Sequence, residues 1–141
     1  MILGGAIMRS VPTVLFLCVH NAGRSQMAAG FARALSGGRV NVRSGGSEPG
    51  DRVNPVAVVA MTEVGVDIGG ETPIRWTDAA VEDADIVVTM GCGDVCPVFS
   101  GPRYVDWELG DPAGLPIEDV RPIRDEIETR VRDLLNEMGA I

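Results

Sequence analysis

The sequence predicts an α/β fold, a three-layer sandwich with a four-stranded parallel sheet and helices on both faces. Three observations predict it. "TVLFLCV" (13–19) is a short continuous apolar run of the kind buried on both faces of a parallel sheet. An amphipathic helical pattern follows it at once, and strand-like and helix-like segments alternate from there onward. At 141 residues the chain has the size of one domain, long enough to bury a core without disulfides or metal. The expected division is a flexible N-terminal extension over 1–12, with Met8 as an alternative start, and a single domain over 13–141.

The run 13–19 is the first strand. The helix after it carries Met27, Phe31, Ala34 and Leu35 on one face and stops at Gly37-Gly38. "VNVRSGG" (40–46) reads as the second strand from its alternating start. Asn54-Pro55 sets a capping side chain before a first-turn proline and so opens a helix, with Val58, Met61 and Val64 inward and Gly65 as its stop. "ADIVVTM" (84–90) and "RYVDWEL" (103–109) are the third and fourth strands. The last helix, 121–138, sets Ile123, Ile127, Val131, Leu134, Leu135 and Met138 at helical spacing, with Arg and Glu between them. No internal repeat, low-complexity tract or long linker interrupts this order.

With 12 basic and 20 acidic side chains the formal charge is −8 and the pI about 4.5, the wrong sign for nucleic acid or an anionic membrane. All 12 basic residues are arginine, a bias that high-GC coding produces. No apolar stretch approaches the ~18 residues that cross a bilayer, and "MILGGAIMRS" lacks the basic start of a signal peptide. These features predict a cytoplasmic protein. Three cysteines there point to catalytic, redox or metal chemistry rather than structural disulfides, and their odd number suggests one plus a pair.

Ligands of doubly wound sheets sit at the carboxyl ends of the strands. Cys18 stands at such an end, six residues before Arg24 in "CVHNAGRS" (18–25). A loop of this length can curl with the N–H groups of Val19, His20, Asn21, Ala22, Gly23, Arg24 and Ser25 facing inward, closed by the N-terminus of the next helix. A tetrahedral oxyanion fits that cup, with Arg24 gripping two of its oxygens as a rigid fork. The same field favours thiolate over thiol and makes Cys18 a nucleophile. Ser25 lies close enough to donate a hydrogen bond to the sulfur, and Asn21 can hold the loop through side chain to backbone bonds. His20 is expected to contribute its backbone amide. The bare Cys-x5-Arg spacing is common by chance; its place between the strongest strand and a helix gives it meaning.

A thiolate attacking an oxyanion needs an acid to protonate the departing oxygen. Asp111 in "LGDPAG" (109–114) follows the fourth strand, from where it can reach over the cup, and Pro112 would fix that loop. Cys92 and Cys96 in "TMGCGDVCP" (89–97) follow the third strand. Cys-x3-Cys is not a zinc-finger spacing and the chain holds 1 His, which argues against metal. A pair that can reach Cys18 and then each other is a thiol relay; two small buried side chains are the alternative.

Cys18 through Ser25, continued by Gln26-Met27-Ala28, together with Asp111-Pro112-Ala113-Gly114, resemble the low-molecular-weight protein tyrosine phosphatase superfamily, and most closely its arsenate reductase branch. The resemblance runs from Thr13 to Leu135. It implies an arsenic-detoxifying enzyme with no bound cofactor. Cys18 would attack arsenate held by the loop and Arg24, with Asp111 assisting loss of water. Cys92 would then attack the Cys18 adduct and release arsenite, Cys96 would resolve the Cys18–Cys92 disulfide, and thioredoxin would reduce the Cys92–Cys96 disulfide. Phosphate and sulfate are the competing oxyanions. The residues themselves leave open which of Cys92 and Cys96 attacks first.

Departures from the family pattern shape the expectations. Three residues separate Cys92 from Cys96, fewer than in the better-known thioredoxin-coupled members. Mycothiol-linked relatives often carry lysine in place of Arg24 and no downstream pair, so Arg24, Cys92 and Cys96 favour thioredoxin; the GC-biased composition keeps mycothiol with mycoredoxin as the alternative. Gly23 stands where some relatives have a cysteine. Ala113 and Gly114 replace the aromatics that follow Asp-Pro in phosphotyrosine phosphatases, which implies arsenate as substrate with weak phosphatase activity. A phosphomonoester phosphatase and a non-catalytic oxyanion-binding or redox-sensing module are the competing classes. The first needs neither Cys92 nor Cys96, because water completes its cycle; the second is favoured by an Asp111 far from Cys18.

Overall fold

Thr13–Cys18 form β1, whose six residues are all buried, at an inner position of the sheet. The structure is a computed structural model and describes residues 11–91 and 98–141. After β1 come α1 (Arg24–Ser36), β2 (Asn41–Gly46), α2 (Pro55–Thr62), α3 (Asp78–Asp83), β3 (Ile86–Thr89), β4 (Arg103–Asp106) and α4 (Ile117–Glu137). The strand order is β2-β1-β3-β4 and every pairing is parallel, so all four carboxyl ends share one edge. Alternation along β1 divides the core. Val14, Phe16 and Cys18 pack with residues of α1, α2 and α4, including Met27, Met61 and Ile127; Leu15 and Leu17 pack on the other face with Trp76, Val81 of α3 and Val87. The layers are those expected, but unequal, with only the short α3 as helix on the second face among the described residues.

Several boundaries and faces differ from the sequence expectation. α1 stops at Gly37, which takes the left-handed conformation (φ 58°), yet Ala34 is exposed. Its face runs out at the last turn, where it borders an open groove with Arg33 and Asp67. α2 ends at Thr62 because the N–H groups of Val64 and Val66 both bond Met61 O, closing a turn that carries Val64 outward. Met61 is inward as expected, Ala57 and Ala60 join it, and Val58 is only half-buried. β3 starts at Ile86, since Ala84 is still tied to Val81 O and the Asp85 carboxylate accepts the Thr13 N–H at 2.7 Å. β4 stops at Asp106; Trp107 donates its N–H to Thr89 O, and its indole packs against Phe16 with centroids 6.0 Å apart. α4 starts at Ile117 rather than 121, because acidic Glu118 and Asp119 favour the first turn and Ile117-Val120 extend the apolar face. Pro122 is tolerated one turn in, at the loss of one backbone bond. α3 was not expected: six residues are too few for a period, and its only mark is the Thr77 cap, whose Oγ1 accepts the Ala80 N–H. Among the described residues no helix is long and apolar enough to cross a membrane.

α2 and α4 are clamped at the surface by Glu63, which accepts from Arg121 at 2.7 Å and from Arg124 at 2.7 Å. Hydrogen bonds from Arg121, then Arg124, lower its carboxyl from 4.5 to about 2. A lowered carboxyl contributes stability above its unfolded pKa and loses it as pH falls toward the folded value. Glu63→Gln is therefore expected to lower the melting temperature at pH 7. The gap to wild type should shrink as pH drops from about 4.5 toward about 2. A gap constant across that range in a pH series of thermal melts contradicts the linkage.

Candidate active site

The loop between β1 and α1 is shaped from outside. A strap formed by residues 48–54 donates the N–H groups of Glu48, Gly50 and Asn54 to the carbonyls of Val19, His20 and Ala22 at 2.8, 2.9 and 2.8 Å. In a trans peptide the N–H opposes the C=O. Turning those three carbonyls outward therefore aims the N–H groups of His20, Asn21 and Gly23 inward, and the Asn21 N–H indeed lies 3.3 Å from Cys18 Sγ. Arg24 and Ser25 open α1, where the first N–H groups have no helical acceptor and project toward the same space. Gly46, at the end of β2, lets the loop approach: a Cβ there would lie 2.5 Å from Val19 O.

Asn21 is fully buried and takes a positive φ of 50°, which short amide side chains tolerate better than most. Its amide orientation follows from one neighbour that can only donate: the Ile74 N–H reaches Oδ1 at 3.0 Å. Gln26 Nε2 shares that oxygen at 3.2 Å, so Nδ2 is the end that donates to Ser25 Oγ at 2.7 Å. With Ser25 Oγ accepting from Asn21, its own hydroxyl proton is free for Cys18 Sγ, 2.9 Å away. Two donors thus converge on a sulfur only 2% exposed.

Arg24, 9% exposed, turns its guanidinium to Asp111, with Nη2 3.4 Å from Oδ2. The other Asp111 oxygen accepts the Ala113 N–H at 3.0 Å in a tight turn. Pro112 is buried and packs over Gly23, where a Cβ would meet its Cγ at 2.8 Å, so a cysteine at 23 would collide with the proline ring as it is placed here. Asn54 caps α2 by accepting the Val56 N–H and extends Nδ2 to Pro112 O at 3.5 Å, joining the strap to the Asp111 turn. These groups form a small, partly open cleft lined by Cys18, His20, Arg24, Asn54 and the 111–113 turn. No phenylalanine, tyrosine or tryptophan lines it among the described residues. His20 Nδ1 donates to Glu48 O at 2.9 Å, so the ring is tied to the strap as well as lining the cleft.

Of the expected site residues, Cys18, His20, Ala22, Gly23, Arg24 and Asp111 line this cleft, Asn21 and Ser25 are buried behind it on the Cys18 sulfur, and Val19 packs against the core on the second face of the sheet, while Cys92 and Cys96 lie outside the described residues. The sequence reading missed Asn54 as a wall of the cleft, Ile74 as an anchor of Asn21, and Gly46 as the position that lets the loop approach. The family model described as low molecular weight phosphotyrosine protein phosphatase matches residues 13–140. The chain belongs to this family. Within it, a Synechocystis protein named glutaredoxin arsenate reductase is 40% identical over 128 residues, which are 86% of this chain and 95% of the relative. A solved thioredoxin-dependent arsenate reductase of Corynebacterium glutamicum superposes with a TM-score of 0.82 at 41% identity over 96% of this chain. This chain spans 65% of the length of that protein. A second solved structure, an arsenate reductase in a phosphate-binding state, gives a TM-score of 0.77 at 36% identity and covers 89% of this chain and 98% of its own.

Proposed function

We propose that this chain is a cytoplasmic arsenate reductase that uses Cys18 as nucleophile, Cys92 and Cys96 as a thiol relay, and thioredoxin as electron donor. The observation that carries the proposal is the gathering of Cys18, Arg24 and Asp111 on one small cleft that, among the described residues, has no benzenoid or indole ring to stack on an aryl substrate. A tetrahedral oxyanion would accept from the inward N–H groups while Arg24 spans two of its oxygens. The thiolate forms the S–As bond as Asp111, in its protonated form, gives its proton to the departing oxygen, which leaves as water. Cys92 then forms a disulfide with Cys18; the S–As electron pair departs with arsenic, so two thiols are oxidised by two electrons as arsenate becomes arsenite. Cys96 attacks Cys92 and frees Cys18, and the dithiol of thioredoxin reduces the Cys92–Cys96 disulfide.

Asp111→Asn keeps the turn bond to Ala113 but removes the proton donor. It is expected to lower kcat about 10²–10⁴-fold with little change in oxyanion binding, read from initial rates and phosphate titration. The proposal itself is tested by anaerobic arsenate turnover with thioredoxin, thioredoxin reductase and NADPH. NADPH oxidation should require arsenate, Cys18, Cys92 and Cys96. Turnover that is absent here but appears with glutaredoxin and glutathione, or with mycothiol and mycoredoxin, would replace thioredoxin as donor. Hydrolysis of phosphomonoesters without arsenate turnover would make the chain a phosphatase.

A further inference from the structure

Resting on the proposed use of Arg24 for oxyanion binding, we propose that Gly91 is a positioning residue for that guanidinium and sets oxyanion affinity by having no side chain. The β1–β3 pairing, with Leu17 opposite Thr89, is prolonged by the Met90 N–H bonding Leu17 O at 2.8 Å. Met90 is thereby set beside Cys18, and Gly91 follows it at the carboxyl end of the strands. Gly91 takes a φ of +86°, and a Cβ built on it would lie 2.5 Å from Arg24 Nη1 and 3.3 Å from Cζ.

Contact with the tip of a long side chain is usually relieved by a small swing. Arg24 lacks that freedom, for its stem leaves the first turn of α1 and it is 9% exposed. Its Nη2 already faces Asp111 at 3.4 Å. The guanidinium is planar, so Nη1 cannot retreat without carrying Nη2 with it. Backbone at 91 on one side and carboxylate at 111 on the other hold the plane at the cleft. Any side chain at 91 moves the fork away from the geometry that lets it span two oxygens.

The test compares Gly91→Ala and Gly91→Asn with Gly65→Ala. Gly65 has a matching φ of +83° with no atom of the described residues within 4 Å of its Cβ position, so its alanine carries the backbone strain without the collision. Asn tolerates a positive φ better than Ala, so Gly91→Asn keeps the collision with less strain and stays testable where the alanine variant folds poorly. Inorganic phosphate binding is titrated by calorimetry alongside thermal melts. Both Gly91 variants are expected to weaken phosphate about tenfold or more, whereas Gly65→Ala loses stability and keeps its affinity. Wild-type affinity in a folded Gly91→Asn, or an equal loss in Gly65→Ala, overturns the proposal. Absence of phosphate binding by the wild type overturns the oxyanion site and the proposal together.

Discussion

Cys18→Ser is expected to abolish arsenate turnover, lowering kcat by at least about 10⁴-fold, the scale seen when a nucleophile is removed. The substitution is nearly isosteric, and the groups around the sulfur, the Ser25 hydroxyl and the Asn21 N–H, hydrogen-bond an oxygen equally well. The loop should keep its shape and still bind phosphate. A serine oxygen is a far weaker nucleophile at neutral pH and can form no disulfide with a second cysteine. Binding retained with chemistry lost is therefore the expected signature, read by phosphate titration and stopped-flow or steady-state rates. Residual turnover above about one part in a hundred contradicts the role of Cys18 as the attacking group.

Arg24→Lys is expected to lower kcat/KM about 10²–10³-fold, with the loss showing in oxyanion affinity as well as in rate. A lysine keeps the charge but cannot span two oxygens, and it cannot touch Gly91 and Asp111 at once. The fold should barely register the change. Asp111 is 51% exposed and 3.4 Å from the guanidinium, and an ion pair that open to water contributes about 0–1 kcal/mol. A variant with wild-type phosphate affinity would show that the backbone N–H groups hold the oxyanion without the fork.

The cup was legible because its signals are local. An unbroken apolar run is the pattern of a strand buried on both faces, as in parallel sheets covered by helices, and a Cys at its end followed by small residues and Arg places the chemistry where strand meets helix. Asp111 was legible by its place after the fourth strand, and the structure does bring it to Arg24. What remained hidden depends on contacts between distant segments. Asn54 reads as a helix cap and is one, but its second bond, to Pro112 O, joins residues 58 apart in sequence. Gly91 carries no mark of a role in the sequence, and only the fold sets it against Arg24. Ala34 and Val64 fit a helical period and are nonetheless outside, because packing ends one turn earlier than the pattern does. α3 was too short for any period to reveal.

The most direct test of the relay is a single turnover. Fully reduced protein is mixed anaerobically with arsenate and no external reductant, quenched in acid with a thiol-alkylating reagent, and mapped by peptide mass spectrometry with arsenite quantified in parallel. The relay predicts one arsenite for each two thiols lost, a Cys92–Cys96 disulfide in the wild type, and a trapped Cys18–Cys92 disulfide in Cys96→Ser. Arsenite formed with Cys92 and Cys96 both still alkylatable, or no arsenite at all, would contradict it.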